Sequence, residues 1–297
     1  MTTSTTGNWG RWGADDERGA LNHLSAETVL AAAQSIRTGR VYQLGTVLHR
    51  EGLPTLAHRG VPRRFTLLNH SDRGWFEGIG APPELGWSED VIMLATHSGT
   101  HLDALCHVDH GGEMYNGYPK EGFTSLDGAA KCGIEKTGAF AARGVLVDVA
   151  AHKGVPLLPP VAITLEDFLE TLEAQGSDVR PGDVVAVRTG WLEHCLASGG
   201  ELEFEQPGIG LDVARWLAEH DVTAVGADNS SVEVMPWDGD EFLGTHLELL
   251  VRHGIYLMEH LWLQELSQDR RYDFLFCVSP LLVKGATGSP VNPIAIG

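Results

Sequence analysis

The chain has 297 residues, 43% of them hydrophobic and 21% charged, enough apolar material for one large globular core. Its 21 Lys and Arg stand against 40 Asp and Glu, a formal net charge of -19; that field repels phosphate backbones and anionic lipid, which excludes nucleic acid and membrane surfaces as expected partners. Its 4 cysteines are widely spaced and include no Cys-x-x-Cys pair, which excludes a disulfide framework or a cysteine zinc site and fits a reducing cytoplasm.

The opening stretch MTTSTTGNWGRWG has neither the basic n-region nor the apolar h-region of a signal peptide. No run approaches the roughly 18 apolar residues of a membrane span, so a soluble, unexported protein is expected. Residues 1–24 read as an extended N-terminal arm outside the core, with Trp9 and Trp12 packing on the domain or on a neighbouring subunit. Residues 25–297 then form a single domain. Ser25 caps a helix reaching Arg37, with Val29, Leu30 and Ala33 on one face and Gly39 at its end. The Gly- and Pro-rich region 50–90 predicts long ordered loops that frame a site, and 91–95 predicts a strand running directly into a histidine-rich stretch. Further on, GVLVDVA (144–150), DVVAVRTG (183–190), VTAVGAD (222–228), IYLMEHL (255–261) and YDFLFCVSPL (272–281) read as short strands, several buried on both faces. Between them Thr164, with Asp167 three residues on, opens a helix that Gly176 closes; 211–220 and 245–252 form two more. Strands alternating with helices predict an α/β fold, a mixed sheet flanked by helices.

The stretch THSGTHLDALCH, 96–107, places His97, His101 and His107 around Asp103. Imidazole and carboxylate together suit a divalent cation of the zinc, manganese or iron type. If the chain is extended at 101–103, His101 and Asp103 point to the same side and can share one ion. Gly99 permits a bend that returns His97 to the same centre, and Thr100 can hydrogen-bond a ligand from behind. His107, four residues after Asp103, is placed to act as a further ligand or as a general base, and the base is the favoured role.

His97, Gly99, Thr100, His101, Asp103 and His107 resemble the His-x-Gly-Thr-His-x-Asp-x-Pro-x-His signature of the metal-dependent cyclase family. That family includes bacterial kynurenine formamidase, isatin hydrolase and a zinc-dependent dienelactone hydrolase. The likeness extends over NWGRWGADDERGALN (8–22), VVAVRTGW (184–191), GADNSSVE (226–233) and GATGSPVNPIAI (285–296), with Leu105 and Cys106 standing where many members carry proline. It implies a swivelling β/β/α fold and one or two divalent ions, Zn or Mn. His97, His101 and Asp103 would hold the first, and Asp103 would share the second with His246 and Glu259. The thirteen-residue spacing of those last two is one longer than the formamidases lead one to expect. Glu248, His253 and His260 are rivals for the same role. A carboxylate in the apolar run around Glu259 needs a partner in any case.

A divalent ion lowers the pKa of bound water from 15.7 to about 7 and polarises a carbonyl, so the expected activity is hydrolytic opening of a cyclic amide, formamide or lactone by metal hydroxide. His107 would take the proton and return it to the leaving group. For the substrate, Trp75, Phe76 and Trp87 can stack on an aromatic ring, Arg188 can grip a carboxylate in bidentate fashion, and Asp228 and Asn229 can border the site. A small substrate that can carry an aromatic ring and a homodimer or homotetramer are expected. The runner-up is metal-assisted ring closure or dehydration in a biosynthetic pathway. A non-haem iron oxygenase would use two histidines and a carboxylate, but on a jelly roll, and a non-catalytic metal-binding protein would fill every coordination position from the chain.

Overall fold

The computed structural model describes residues 7–51, 54–199 and 204–297, so residues 1–6 of the expected arm lie outside the described residues. Among the described residues nine strands form one sheet. They are β1 (Val41–Gln43), β2 (His101–Asp103), β3 (Phe140–Asp148), β4 (Val184–Arg188), β5 (Ala224–Ala227), β6 (Tyr256–Glu259), β7 (Asp273–Val278), β8 (Gly288–Pro290) and β9 (Ile294–Ile296). Their spatial order is β1-β9-β7-β3-β4-β5-β6-β2-β8. Strands β3 to β6 run parallel, so each pair needs a crossover. The helices Leu165–Gln175, Leu211–Glu219 and Gly244–His246 lie in those three crossovers in turn. Parallel strands are covered on both faces, which is why they read as continuous apolar runs; Val184, Val185, Ala186 and Val187 are all buried, each valine contributing roughly 1.5–3 kcal/mol on burial. This is the mixed, helix-flanked α/β domain expected, with one large core.

The flanking strands pair antiparallel on both sides of the parallel block, and they curl the sheet. Pro290 ends β8 and Ile294 begins β9, yet these strands sit seven places apart in the order. Flat, seven spacings of about 4.8 Å would separate them by roughly 34 Å, whereas four residues reach only about 14 Å. The two margins therefore come together. Leu44, just after β1, ties them: its N–H donates to Pro293 O at 2.9 Å and its carbonyl accepts from Trp262 N at 2.8 Å.

Local signals account for the helix ends. Ser25 Oγ accepts from Thr28 N and Thr28 Oγ1 accepts from Ser25 N, opening Ala26–Ala32, which tightens into a short 3₁₀ turn and stops before Arg37. Thr164 caps Leu165–Gln175, and Gly176 closes it in the left-handed conformation. The segment after Gly244–His246 winds on as a π-helix, Leu247–Arg252. A π-turn is the local way for a helix to absorb one surplus residue, and it lies inside the stretch where His246 and Glu259 are one residue further apart than the family resemblance implies.

Three expectations need correction: the loops at 50–90, the strand at 91–95, and the placing of all of residues 1–24 outside the core. Arg63–Leu68 and Glu89–Met93 pair antiparallel as a separate two-stranded ribbon, with the helix Arg73–Gly78 between them, so region 50–90 is not all loop. The strand expected at 91–95 belongs to that ribbon and does not run into β2. Its residues Val91, Ile92 and Met93 are exposed and supply no core alternation to place them in the main sheet. Residues 19–23 form a 3₁₀ turn whose Ala20 and Leu21 are buried in the core, although their sequence has no periodic signal. Trp9 Nε1 donates to Val251 O at 2.7 Å and Ala20 N to Gly254 O at 2.8 Å, so this segment packs on the chain's own π-helix. No described helix is long and apolar enough to cross a membrane, and all four cysteines are free thiols.

Candidate metal centre

On β2, His101 and Asp103 are two residues apart, share one side of the strand as expected, and are fully buried. The antiparallel register of β2 with β6 sets Glu259 directly opposite His101. Cross-strand pairing thus delivers a carboxylate from far along the chain, and His101 Nε2 stands 3.0 Å from Glu259 Oε2. Before β2, Gly99 takes φ 62, and the bend returns His97 so that its Nδ1 lies 2.8 Å from Asp103 Oδ1. On the other flank β8 sets Gly288 opposite Asp103; a Cβ there would fall 2.7 Å from His97 Cε1, so the ring occupies space that only glycine leaves. His246 completes the ring of donors, with Nε2 3.7 Å from Glu259 Oε1 and 3.9 Å from Asp103 Oδ2. The His107 ring stacks on His97, centroids 4.0 Å apart.

Hydrogen bonds assign the tautomers. His101 Nδ1 donates to Gly99 O at 2.7 Å and His246 Nδ1 to Glu233 Oε1 at 2.5 Å, which in the neutral rings leaves both Nε2 lone pairs facing the carboxylates. Three of the buried atoms there, His101 Nε2, Asp103 Oδ2 and Glu259 Oε2, make no well-aligned hydrogen bond, and within hydrogen-bond reach the first and last have only each other, at 3.0 Å. An unmet buried polar group costs about 1–3 kcal/mol, so three together call for a shared partner. One ligand atom each from His101, Asp103 and Glu259 lies within 4.8 Å of the others, and the same holds for His97, Asp103 and His107. Two carboxylates among imidazoles is the ligand chemistry of a hard-to-borderline divalent cation, and the residues fit one.

The charges agree. Burial alone would raise Asp103 and Glu259, but the imidazoles of His107, His97 and His101 around the first, and of His101 and His246 around the second, hold both well below the usual carboxylate range. Burial pulls His246 down, yet Glu233 and Glu259 outweigh it and push it up to about 10. The cluster demands positive charge, supplied by protonated rings when no cation is bound. His107 differs: burial lowers it to about 4 against the pull of Asp103, so its ring is neutral at pH 7.

Other expected residues are placed elsewhere. Arg188 is engaged by Asp148 (Nη1 to Oδ1, 2.8 Å) and by Glu193 (Nε to Oε1, 3.0 Å), two internal carboxylates that occupy the fork a substrate carboxylate would need. Trp75, Phe76 and Trp87 pack edge-to-face on one another, centroids 4.8 to 5.4 Å apart, and none of their described ring contacts is with the histidine cluster. Asp228 accepts from Thr189 N, Thr189 Oγ1 and Gly190 N, a structural pin, and Asn229 O accepts from His260 N at 2.8 Å. Of the rivals, Glu248 pairs with Arg252 at 2.9 Å and with His253 at 3.4 Å. His260, just past the end of β6, stacks toward Trp191, with its Nδ1 3.3 Å from Gly99 O and its ring centroid 6.3 Å from that of His101.

Three contributors are not singled out by the sequence, although two of them, Glu233 and Thr287, fall inside the family-like stretches 226–233 and 285–296. Glu233 orients His246. Thr287 Oγ1 sits 2.9 Å from His97 Nε2. Arg59 Nη1 donates to His97 O at 2.7 Å and stands 4.0 Å from Glu259 Oε2. Each acts through tertiary contact, and no spacing in the sequence ties any of the three to its histidine.

Comparison with known proteins matches residues 22–234 to the family model described as putative cyclase. The chain is 28% identical to Cyclase-like protein 3 of Oryza sativa subsp. japonica, over 87% of this chain and 80% of that protein. It is 24% identical to the kynurenine formamidase of Bacillus cereus, over 76% of this chain and 92% of that one. Among solved structures, a novel cyclase superposes with TM-score 0.87 at 34% identity, covering 98% of this chain and 99% of that chain. Isatin hydrolase A from Labrenzia aggregata superposes with TM-score 0.62 at 19% identity, covering 91% and 98%, a likeness of fold.

Proposed function

The chain belongs to the cyclase family, and from that premise we propose that this enzyme is a metal-dependent hydrolase opening a cyclic amide, formamide or lactone. The observation that carries the reading is the convergence of His101 Nε2, Asp103 Oδ2 and Glu259 Oε2, buried and with no well-aligned hydrogen bond, beside a neutral, stacked His107. His97, His101 and Asp103 would hold one divalent ion, and Asp103, His246 and Glu259 a second. Such an ion supplies Lewis-acid polarisation of a carbonyl and acidifies a water. Glu233 and Gly99 O keep the Nε2 atoms of His246 and His101 free to ligate. His107 takes the proton from the attacking water and returns it to the departing nitrogen or oxygen.

The test is an assay of the purified protein, loaded with zinc or manganese, on N-formylkynurenine, isatin and a simple lactone. Metal-dependent ring or formamide opening of at least one is the expected result. Inertness toward all three with metal bound overturns the hydrolase reading in favour of ring closure or dehydration.

The same reading includes self-association. The ribbon Arg63–Leu68 and Glu89–Met93 exposes Phe65, Leu67, Val91, Ile92 and Met93, more large apolar side chains than an isolated two-stranded ribbon leaves in water. A second copy of the chain covers them. Light scattering should give a dimer or tetramer, and Leu67→Glu with Ile92→Glu should lower the mass to that of one chain; a monomeric parent would refute this.

A further inference from the structure

Away from the histidine cluster, and sharing no residue with it, a cavity of about 360 Å³ opens where four segments meet. One is the turn after Ala26–Ala32, another the chain leaving Leu165–Gln175, the third the entry to β7, and the fourth β3, which supplies Arg143. Five arginines line it: Arg37, Arg143, Arg180, Arg270 and Arg271. These are five of only 21 basic side chains in a chain of net charge -19, so their gathering runs against the field of the rest of the molecule.

Internal pairing explains two of the five. Arg143 is held by Asp183 and Asp273, each at 2.8 Å, and Arg180 by Asp178 at 2.7 Å. It leaves the other three without a carboxylate: Arg37 Nη1 donates to the Gln34 carbonyl and Arg271 to the Tyr42 hydroxyl. Among the described residues no Asp or Glu oxygen comes within the 4.0 Å ion-pair limit of Arg37, Arg270 or Arg271. The Nε of Arg271 is buried and has no hydrogen-bond partner. Arg270, at φ 49, is the left-handed residue that ends the helix Gln264–Gln268, closed by Arg270 N to Ser267 O at 3.0 Å and Arg271 N to Leu266 O at 2.9 Å; that turn sends two consecutive arginines to one cavity. A buried guanidinium donor with nothing to donate to, in a cavity lined by further arginines, is what an anion receptor requires.

We propose that this cavity is a binding site for a small phosphate-bearing anion. A phosphate group carries about -1.5 to -2 charge at pH 7 with several acceptor oxygens, matching three guanidiniums better than a monovalent carboxylate does. Planar guanidinium forks bind phosphate oxygens in bidentate geometry. The cavity admits a phosphate or a small phosphomonoester, and the overall negative charge keeps polyanions away.

The test titrates inorganic phosphate into the metal-loaded full chain by calorimetry at low ionic strength, with acetate as comparator. Saturable binding of phosphate, and not of acetate, is expected. The double variant Arg37→Gln, Arg270→Asn should weaken phosphate affinity at least about tenfold, since each loses a charge-assisted contact, while hydrolytic activity and melting temperature stay at parental values. Asparagine suits the backbone at position 270, so the fold is not at risk. No saturable heat, an equal response to acetate, or an affinity unchanged in the double variant, as phosphate held at the histidine cluster would give, each overturns the proposal.

Discussion

Asp103→Ala should leave the purified protein without retained divalent metal and lower kcat/KM by at least ~10³-fold, because the acidified water and polarised carbonyl disappear together. Asp103 is the side chain common to every ligand grouping. Its Oδ1 lies 2.8 Å from His97 Nδ1 and 3.6 Å from His101 Nε2, and its Oδ2 lies 3.9 Å from His246 Nε2. No neighbour can replace it: Glu259 faces the cluster from β6, across from His101, and already has His101 and His246 to serve. A fully buried carboxylate also supports the fold through its imidazole partners, so alanine alone would confound loss of metal with loss of structure. Asp103→Asn separates them. It keeps the volume and one acceptor while removing the negative charge, and should melt within a few degrees of the metal-free parent yet fail to take up zinc or manganese in elemental analysis. Full metal content in the asparagine variant, or activity within tenfold of the parent, would remove Asp103 from the centre of the site.

How much of this site could be read from letters depends on whether each residue's neighbours are set by local chain geometry. His101 and Asp103 are fixed relative to each other by the two-residue repeat of a strand, and the bend at Gly99 by its missing Cβ, so that half of the cluster was legible. Glu259 was legible only as a carboxylate in an apolar strand that needed a partner; its partner is decided by the register of β6 on β2, which no local pattern states. Glu233 and Thr287 are less readable still, because one reaches His246 across a loop and the other reaches His97 from the turn before β8.

The strands divide the same way. The parallel block announces itself through apolar runs because both faces are buried, whereas β1, β2, β8 and β9, each of three residues, are too short for alternation to show and are held by tertiary pairing. The misplaced strand at 91–95 fails for the opposite reason: its apolar residues follow a strand pattern but face no core of their own chain, and local pattern cannot distinguish a core face from a face awaiting a partner.

His107→Gln should retain metal at the parental stoichiometry and lose kcat by ~10²–10⁴-fold with little change in KM, the loss typical of a removed general base. The other side chains of the cluster supply five potential ligands without it, from His97, His101, Asp103, His246 and Glu259, so the ion's affinity does not hinge on this ring. Its stacking on His97 at 4.0 Å places it beside the ligands, and its pKa sets the sign of its effect. Burial lowers it to about 4, below the ordinary value near 6.5; the imidazole is therefore unprotonated and able to accept a proton from pH 7 down through mildly acidic conditions, and is lost as a base only as pH falls toward that value. Glutamine preserves size and polarity but cannot take up a proton, so the residual activity of the variant should lack this acid limb. Glu233→Gln makes the contrasting case. Removing the carboxylate that orients His246 should weaken metal retention ~10–100-fold, yet leave kcat near the parental value once metal is supplied in excess. If instead His107→Gln strips the metal and excess metal restores its turnover, the stacked ring is a ligand, and proton transfer must be assigned to another group.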